Sequence, residues 1–148
     1  MHALPRVALA LLLLVPACAT DPTGRDEAPF SADYSRGFEP PLLIAGPPGC
    51  DRLITYATLG LQRDWMYDFS INVVDDCRRS GQGAPYFGLQ RRGSWEVQGD
   101  TVLFQVNDPI PTFGGQRDGD TFVLRLPPNF AGLTNSRMEL RLDLVQAY

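Results

Sequence analysis

The chain has 148 residues with 13 basic against 17 acidic side chains, a formal charge of −4. That length suggests one domain, and the acidic balance offers no basis for holding nucleic acid. All the basic residues are arginine and the one histidine is His2, which excludes Ser-His-Asp and Cys-His nucleophiles, Schiff-base lysines and His-ligated metals from a mature domain.

The first segment reads as an address. Arg6 precedes nine apolar residues, 7–15 (VALALLLLV). Such a run suits the core of a signal peptide and falls well short of the roughly 20 residues a membrane-spanning helix needs. The next residues, Val15-Pro16-Ala17-Cys18, resemble the bacterial lipobox. The resemblance implies removal of residues 1–17 as a signal peptide and acylation of Cys18, with palmitate-like chains as the membrane partner. Several acyl chains hold a protein stably, at about 0.8 kcal/mol per buried methylene. Alanine at position 19 implies, by the same resemblance, sorting to the outer membrane where the cell has one, with the domain facing the periplasm or the exterior. An ordinary secretory cleavage at Ala17-Cys18-Ala19 is the alternative.

Cysteine arithmetic fits lipidation. The three cysteines are Cys18, Cys50 and Cys77, and an odd count in an exported chain asks for an explanation. Lipid on Cys18 leaves Cys50 and Cys77, which in an oxidising compartment are expected to form a disulfide; two buried free thiols are the other reading. Two cysteines without histidine make a poor metal site, and neither metal nor cofactor is expected.

Residues 18–41 are rich in Pro, Gly, Ser and acidic residues without sustained periodicity, the composition of a flexible tether. Phe30, Tyr34 and Phe38, at fourfold spacing, are the exception and would allow the segment to dock on the domain. From residue 42 to 148 the pattern changes to strands and turns. Trp65, Tyr67, Phe69, Ile71 and Val73 alternate with polar positions. So do Val102, Phe104 and Val106, then Phe122, Leu124 and Leu126, then Met138, Leu140, Leu142 and Leu144. Period two over such runs is the signature of half-buried antiparallel strands. A shorter strand at 94–97 turns Trp95 and Val97 inward, strand 53–61 does not declare its facing, and further strands are expected near 42–45 and 112–116. Gly99-Asp100 and Gly119-Asp120 supply the glycine that tight hairpins favour. The expected fold is all-β: an antiparallel up-and-down meander of seven or eight strands, curled into a barrel or into a strongly curved sheet of incomplete closure. With no helix to cover it, an apolar sheet face is buried most simply by closing on itself.

Gly93-Ser94-Trp95-Glu96-Val97, Gly99-Asp100-Thr101-Val102-Leu103-Phe104 and Gly119-Asp120-Thr121-Phe122-Val123-Leu124 resemble recurring strands of the small lipocalin-like domains of exported bacterial lipoproteins. That resemblance implies a β-barrel and brings no catalytic residues. Candidate ligand-binding residues are the inward aromatics Trp65, Tyr67, Phe69, Trp95, Phe104 and Phe122, which would either line a pocket for a small apolar molecule or fill the core themselves. An envelope protein, a lytic enzyme among them, is the alternative partner, met through the glycine-flanked loop 80–88. Asp75-Asp76 as an acid–base pair and Asp118-Gly119-Asp120 as a calcium fragment are weaker readings. Neighbouring strand residues face opposite ways, and calcium takes six to eight oxygens. No enzymatic activity is expected.

Overall fold

The computed structural model describes residues 27–106 and 113–148. The expected signal peptide 1–17, the lipidation position Cys18 and the first part of the expected tether lie outside the described residues. Eight strands follow one another as β1 (Ala32–Ala45), β2 (Asp51–Leu61), β3 (Met66–Asp76), β4 (Tyr86–Gln98), β5 (Thr101–Val106), β6 (Phe113–Asp118), β7 (Thr121–Leu126) and β8 (Met138–Ala147). Each pairs antiparallel with the next, and β1 returns to β8, so the meander is a closed barrel. Two 3-10 turns, Arg78–Ser80 and Phe130–Gly132, are the helical pieces among the described residues.

The alternation dictates which side faces in. On β3, Tyr67, Phe69, Ile71 and Val73 are buried while Asp68, Ser70 and Asn72 face outward. Phe104 of β5, Phe122 and Leu124 of β7, and Leu140 and Leu142 of β8 complete the core. An apolar inside and a polar wall suit a barrel immersed in water and reverse the pattern of a barrel whose wall faces lipid. Glycines make room for the rings. A Cβ at Gly93 would sit 3.0 Å from Cε1 of Tyr67, its cross-strand neighbour, and one at Gly115 would collide with the Phe122 ring.

Three expectations need correction. The barrel begins at Ala32, not 42: residues 32–41, expected in the tether, belong to β1, with Ala32 and Tyr34 buried. Gly37, Pro40 and Pro41 made this stretch look like linker, and β1 accommodates them with a register shift between Gly37 and Leu42 and a cis Glu39–Pro40 bond. Trp65 is not on a strand; it sits in the β2–β3 turn at φ 65°. Val97 is 38% exposed, because β4 there has reached the rim of the barrel. The undeclared facing of β2 has a cause as well. Ile54 pairs with Val73 and Tyr56 with Asn72, so Thr55 is an extra residue that bulges. The bulge moves the buried set from Ile54 to Ala57, Leu59 and Leu61.

The ring of strands is uneven. Among the described residues β1 pairs with β8 only from Ala32 to Ser35, and β4 pairs with β5 only from Gly93 to Gln98. Beyond those points β1–β4 continue as a four-stranded sheet. Its open inner face is met by residues 127–137, which bring Phe130 and Leu133 into the core at 0% and 1% exposure.

Candidate functional site

The barrel interior was the first candidate. Of its six expected lining residues, the strand alternation buries Tyr67, Phe69, Trp95, Phe104 and Phe122 to 1% exposure or less. Their rings lie on one another and on rings the sequence reading did not single out. Tyr67 meets Phe104 at 4.9 Å, Phe104 meets Phe113 at 4.7 Å, and Phe113 meets Phe130 at 4.9 Å. Tyr34 packs against Phe122 at 5.3 Å. Trp65, the sixth, is half-buried at the mouth, 5.1 Å from Trp95, with Phe30 on the other side at the same distance. Phe113 opens β6 and carried a weak signal in the expected strand at 112–116. Phe130 lies in a connection, where periodicity says nothing.

Among the described residues two buried polar atoms of this region lack partners: the Tyr67 hydroxyl and Nε of Arg91 make no hydrogen bond. Burial pushes the Tyr67 phenol up to about 12, against the opposing pull of the Arg91 charge. Arg91 stands opposite Phe69 in the β3–β4 ladder, sharing the inward parity of Leu89 and Trp95. Arg92 lies outside, paired with Asp68.

The second candidate was loop 80–88. Cys50, at the end of the β1–β2 turn, is joined by a disulfide to Cys77, at the end of β3. The backbone that follows folds against this staple: Gln82 N–H donates to the Cys77 carbonyl (3.2 Å), Cys77 N–H to Gly83 (3.1 Å), and Asp75 N–H to Pro85 (3.0 Å). Gly81, at φ 77°, allows the reversal. The loop therefore ends in a fixed position, with Tyr86 60% exposed and Phe87 turned inward beneath the Arg52 guanidinium at 5.2 Å.

Arg52 organises this end. It holds Asp75 with two bonds, Nε to Oδ1 at 2.6 Å and NH2 to Oδ2 at 2.8 Å. From its other side NH1 donates to the carbonyls of Gly132 and Leu133, at 2.8 and 3.1 Å. One planar guanidinium thus ties β2, β3 and the 127–137 connection together. The hydrogen bond from Arg52 holds the Asp75 carboxyl below its ordinary range despite burial. Asp76 points the other way and pairs with Arg78, which lowers its carboxyl to about 2. The two neighbouring acids therefore do not face each other. Asp118 and Asp120 flank the β6–β7 hairpin turn. Among the described residues, no three His, Cys, Asp or Glu side chains gather as a metal-ligand group.

Two open hollows at the surface have none of the six aromatics in their lining. An open cleft of about 570 Å³ beside the two Gly-Asp-Thr turns is bordered by Phe30, Val97, Asp100 and Arg117. Another, of about 510 Å³, crosses Leu103, Gly114, Leu126 and Met138 on the wall.

Fold and site together define a small, closed, antiparallel eight-stranded meander barrel with an aromatic core and one disulfide-braced end. No protein-family model, no curated protein and no solved structure matches the chain.

Proposed function

We propose that this protein is an exported, lipid-anchored binding module of the cell envelope, related to the lipocalin-like lipoprotein domains, which meets its partner through its outer surface. The observation that carries the surface reading is the state of the interior. Tyr67, Phe69, Phe104 and Phe122 are linked through ring contacts among themselves and with Phe113 and Phe130, and Trp95 packs against Trp65 and Phe30, so the volume of a ligand is taken up by the chain's own rings. The disulfide-braced end adds support: residues 86–88 of the expected loop belong to β4, so the exposed Tyr86 is held on a strand beside the braced turn and loses little entropy on binding. Anchoring rests on the Val15-Pro16-Ala17-Cys18 pattern.

Intact mass of the membrane-extracted protein tests the anchor: a mature N-terminus at Cys18 carrying acyl mass is expected, and an unmodified one refutes it. Pull-down of envelope proteins before and after shortening loop 80–88 tests the surface. Loss of the captured partner is expected, and capture unchanged by the deletion counts against it.

A second reading has one observation in its favour. The Tyr67 hydroxyl and Arg91 Nε are two buried donors without a hydrogen-bond partner among the described residues, which is what a small acceptor group of an otherwise apolar ligand would satisfy. Native mass spectrometry of the purified chain distinguishes the two: retained small-molecule mass supports the interior, bare protein mass the surface.

A further inference from the structure

We propose that the outer face of the β1–β4 sheet is a docking surface for a second copy of this chain. The bulge at Thr55 and the register shift in β1 bring four apolar side chains into one outward row across four strands. Leu43 pairs with Leu53, Leu53 with Val74, and Val74 with Tyr86. Their inward neighbours Ile54 and Val73 are buried, while Leu43 and Tyr86 are 62% and 60% exposed. With strands about 4.8 Å apart the row runs roughly 15 Å. An apolar row of this kind on a polar wall is the pattern of an interaction site.

The rows on either side point to a copy of the same face. Toward the mouth, Gly37, Tyr56, Asn72 and Gly88 stand in register; away from it, Ala45, Asp51 and Asp76. A two-fold axis along the strands, between β2 and β3, keeps both barrels upright. It sets β1 against β4 of the other copy and β2 against β3. Leu53 then faces Val74, Leu43 faces Tyr86, and the Tyr56 hydroxyl faces the Asn72 amide. Glycine faces glycine at both ends of that row, where added Cβ atoms would meet nothing closer than 3.9 Å, so the walls approach closely. In the outer row Asp51 faces Asp76, and each brings its own arginine, Arg79 at 3.4 Å and Arg78 at 2.5 Å. Two acids and two arginines per copy balance across the contact. This axis also sets the starts of both β1 strands at the same end of the pair, which suits two anchors in one membrane.

The alternative of edge pairing is blunted. Beyond Ser35 the edge of β1 carries Pro40 and Pro41, which lack N–H groups and discourage strand addition. The row is smaller than the roughly 800 Å² per partner of a stable dimer, so the pair is weak in solution and gains from confinement in a membrane. That last step rests on the lipid anchor proposed above; the surface itself does not.

The test uses the full chain labelled at its C-terminus with donor and acceptor dyes and reconstituted in lipid vesicles. Energy transfer above that of randomly mixed chains is expected. Tyr86→Asp, or Leu53→Asp with Val74→Asp, should weaken association at least tenfold, and Arg141→Glu on the opposite wall should leave it unchanged. Tyr86→Asp keeps the test valid if the double variant fails to fold, since that side chain stands outside the core. Sedimentation of the full-length Cys18→Ala chain at high concentration separates the two readings: a dimer there that Tyr86→Asp abolishes stands even if no acyl mass is found. Monomer at every density, or association indifferent to Tyr86→Asp, overturns the proposal.

Discussion

The two ends of the barrel are closed by different means. At the mouth, every strand has a neighbour on both sides: β1 reaches β8 through Ala32 to Ser35, and β4 reaches β5 through Gly93 to Gln98. The far end is a four-stranded sheet whose outer strands have outrun their partners among the described residues, and there side chains and covalent chemistry take over. Phe130 enters from a connection, Arg52 bolts that connection to Asp75, and Cys50–Cys77 staples the turns. A backbone ladder distributes closure over many modest hydrogen bonds, whereas the far end concentrates it in a few groups, each of which should show a large individual effect.

The largest is expected from Phe130→Ala. The ring is fully buried, 4.9 Å from Phe113 and 6.2 Å from Phe69, and truncations of this kind cost about 3–5 kcal/mol. Denaturant unfolding should show that loss, while a loss below about 1 kcal/mol would mean that the far end closes without its plug. Replacing both Cys50 and Cys77 with serine comes next. The bridge spans 27 residues, and the chain-entropy relation gives about 3.5 kcal/mol for a loop of that size. Reductant should lower the wild-type midpoint to that of the double variant and leave the variant where it is.

Arg52→Ala should cost about 3 kcal/mol, because it leaves Asp75 buried without its partner. Its pH dependence carries the sign. The Asp75 carboxyl is lowered in the folded state, so its contribution is present above the unfolded value near 3.9 and is lost as pH falls through the lowered folded value. In the variant the same carboxyl loses the hydrogen bond that lowers it, and burial raises it. The variant should therefore recover stability relative to wild type as pH falls from about 6 to 3. Parallel stability profiles across that range would show that Arg52 acts by packing over Phe87 alone.

This division also marks what the sequence could disclose. The alternating runs of β3, β5 and β8 were legible because each strand has one wetter and one dry face along its length, and β7 followed the same period although its outward Val123 is also buried. β1 was not: Gly37, Pro40 and Pro41 are tether residues by composition, and only Tyr34, and Phe38 against the core, betrayed the strand. β2 hid its facing behind one bulged residue, Thr55. In the interior, the inward aromatics could be named while their packing could not, because Phe130 arrives from a segment with no period. Arg52 and Asp75 are 23 residues apart, and no local pattern links two charges across a strand pair and a connection.

The smallest expected effect lies where the two ends meet. Tyr67 pairs with Gly93, and Gly93 with Val106 at the limit of the described β4–β5 ladder, while Arg91 stands just past it in the part of β4 that, among the described residues, pairs with β3 alone. The unpartnered donors therefore fall at the edge of the hydrogen-bonded ring. If nothing binds there, the Tyr67 hydroxyl is a desolvated group without recompense. Tyr67→Phe, which keeps the ring against Phe104 and Phe113, should then be neutral or stabilising by up to about 1 kcal/mol. The wild type should also lose stability as pH rises from the unfolded phenol value near 10 through the folded value of about 12, because the folded state resists ionisation, and the variant should lack that slope. Destabilisation by more than about 1 kcal/mol on removing this one oxygen would show that an acceptor occupies the junction, and would move the binding site from the wall to the interior.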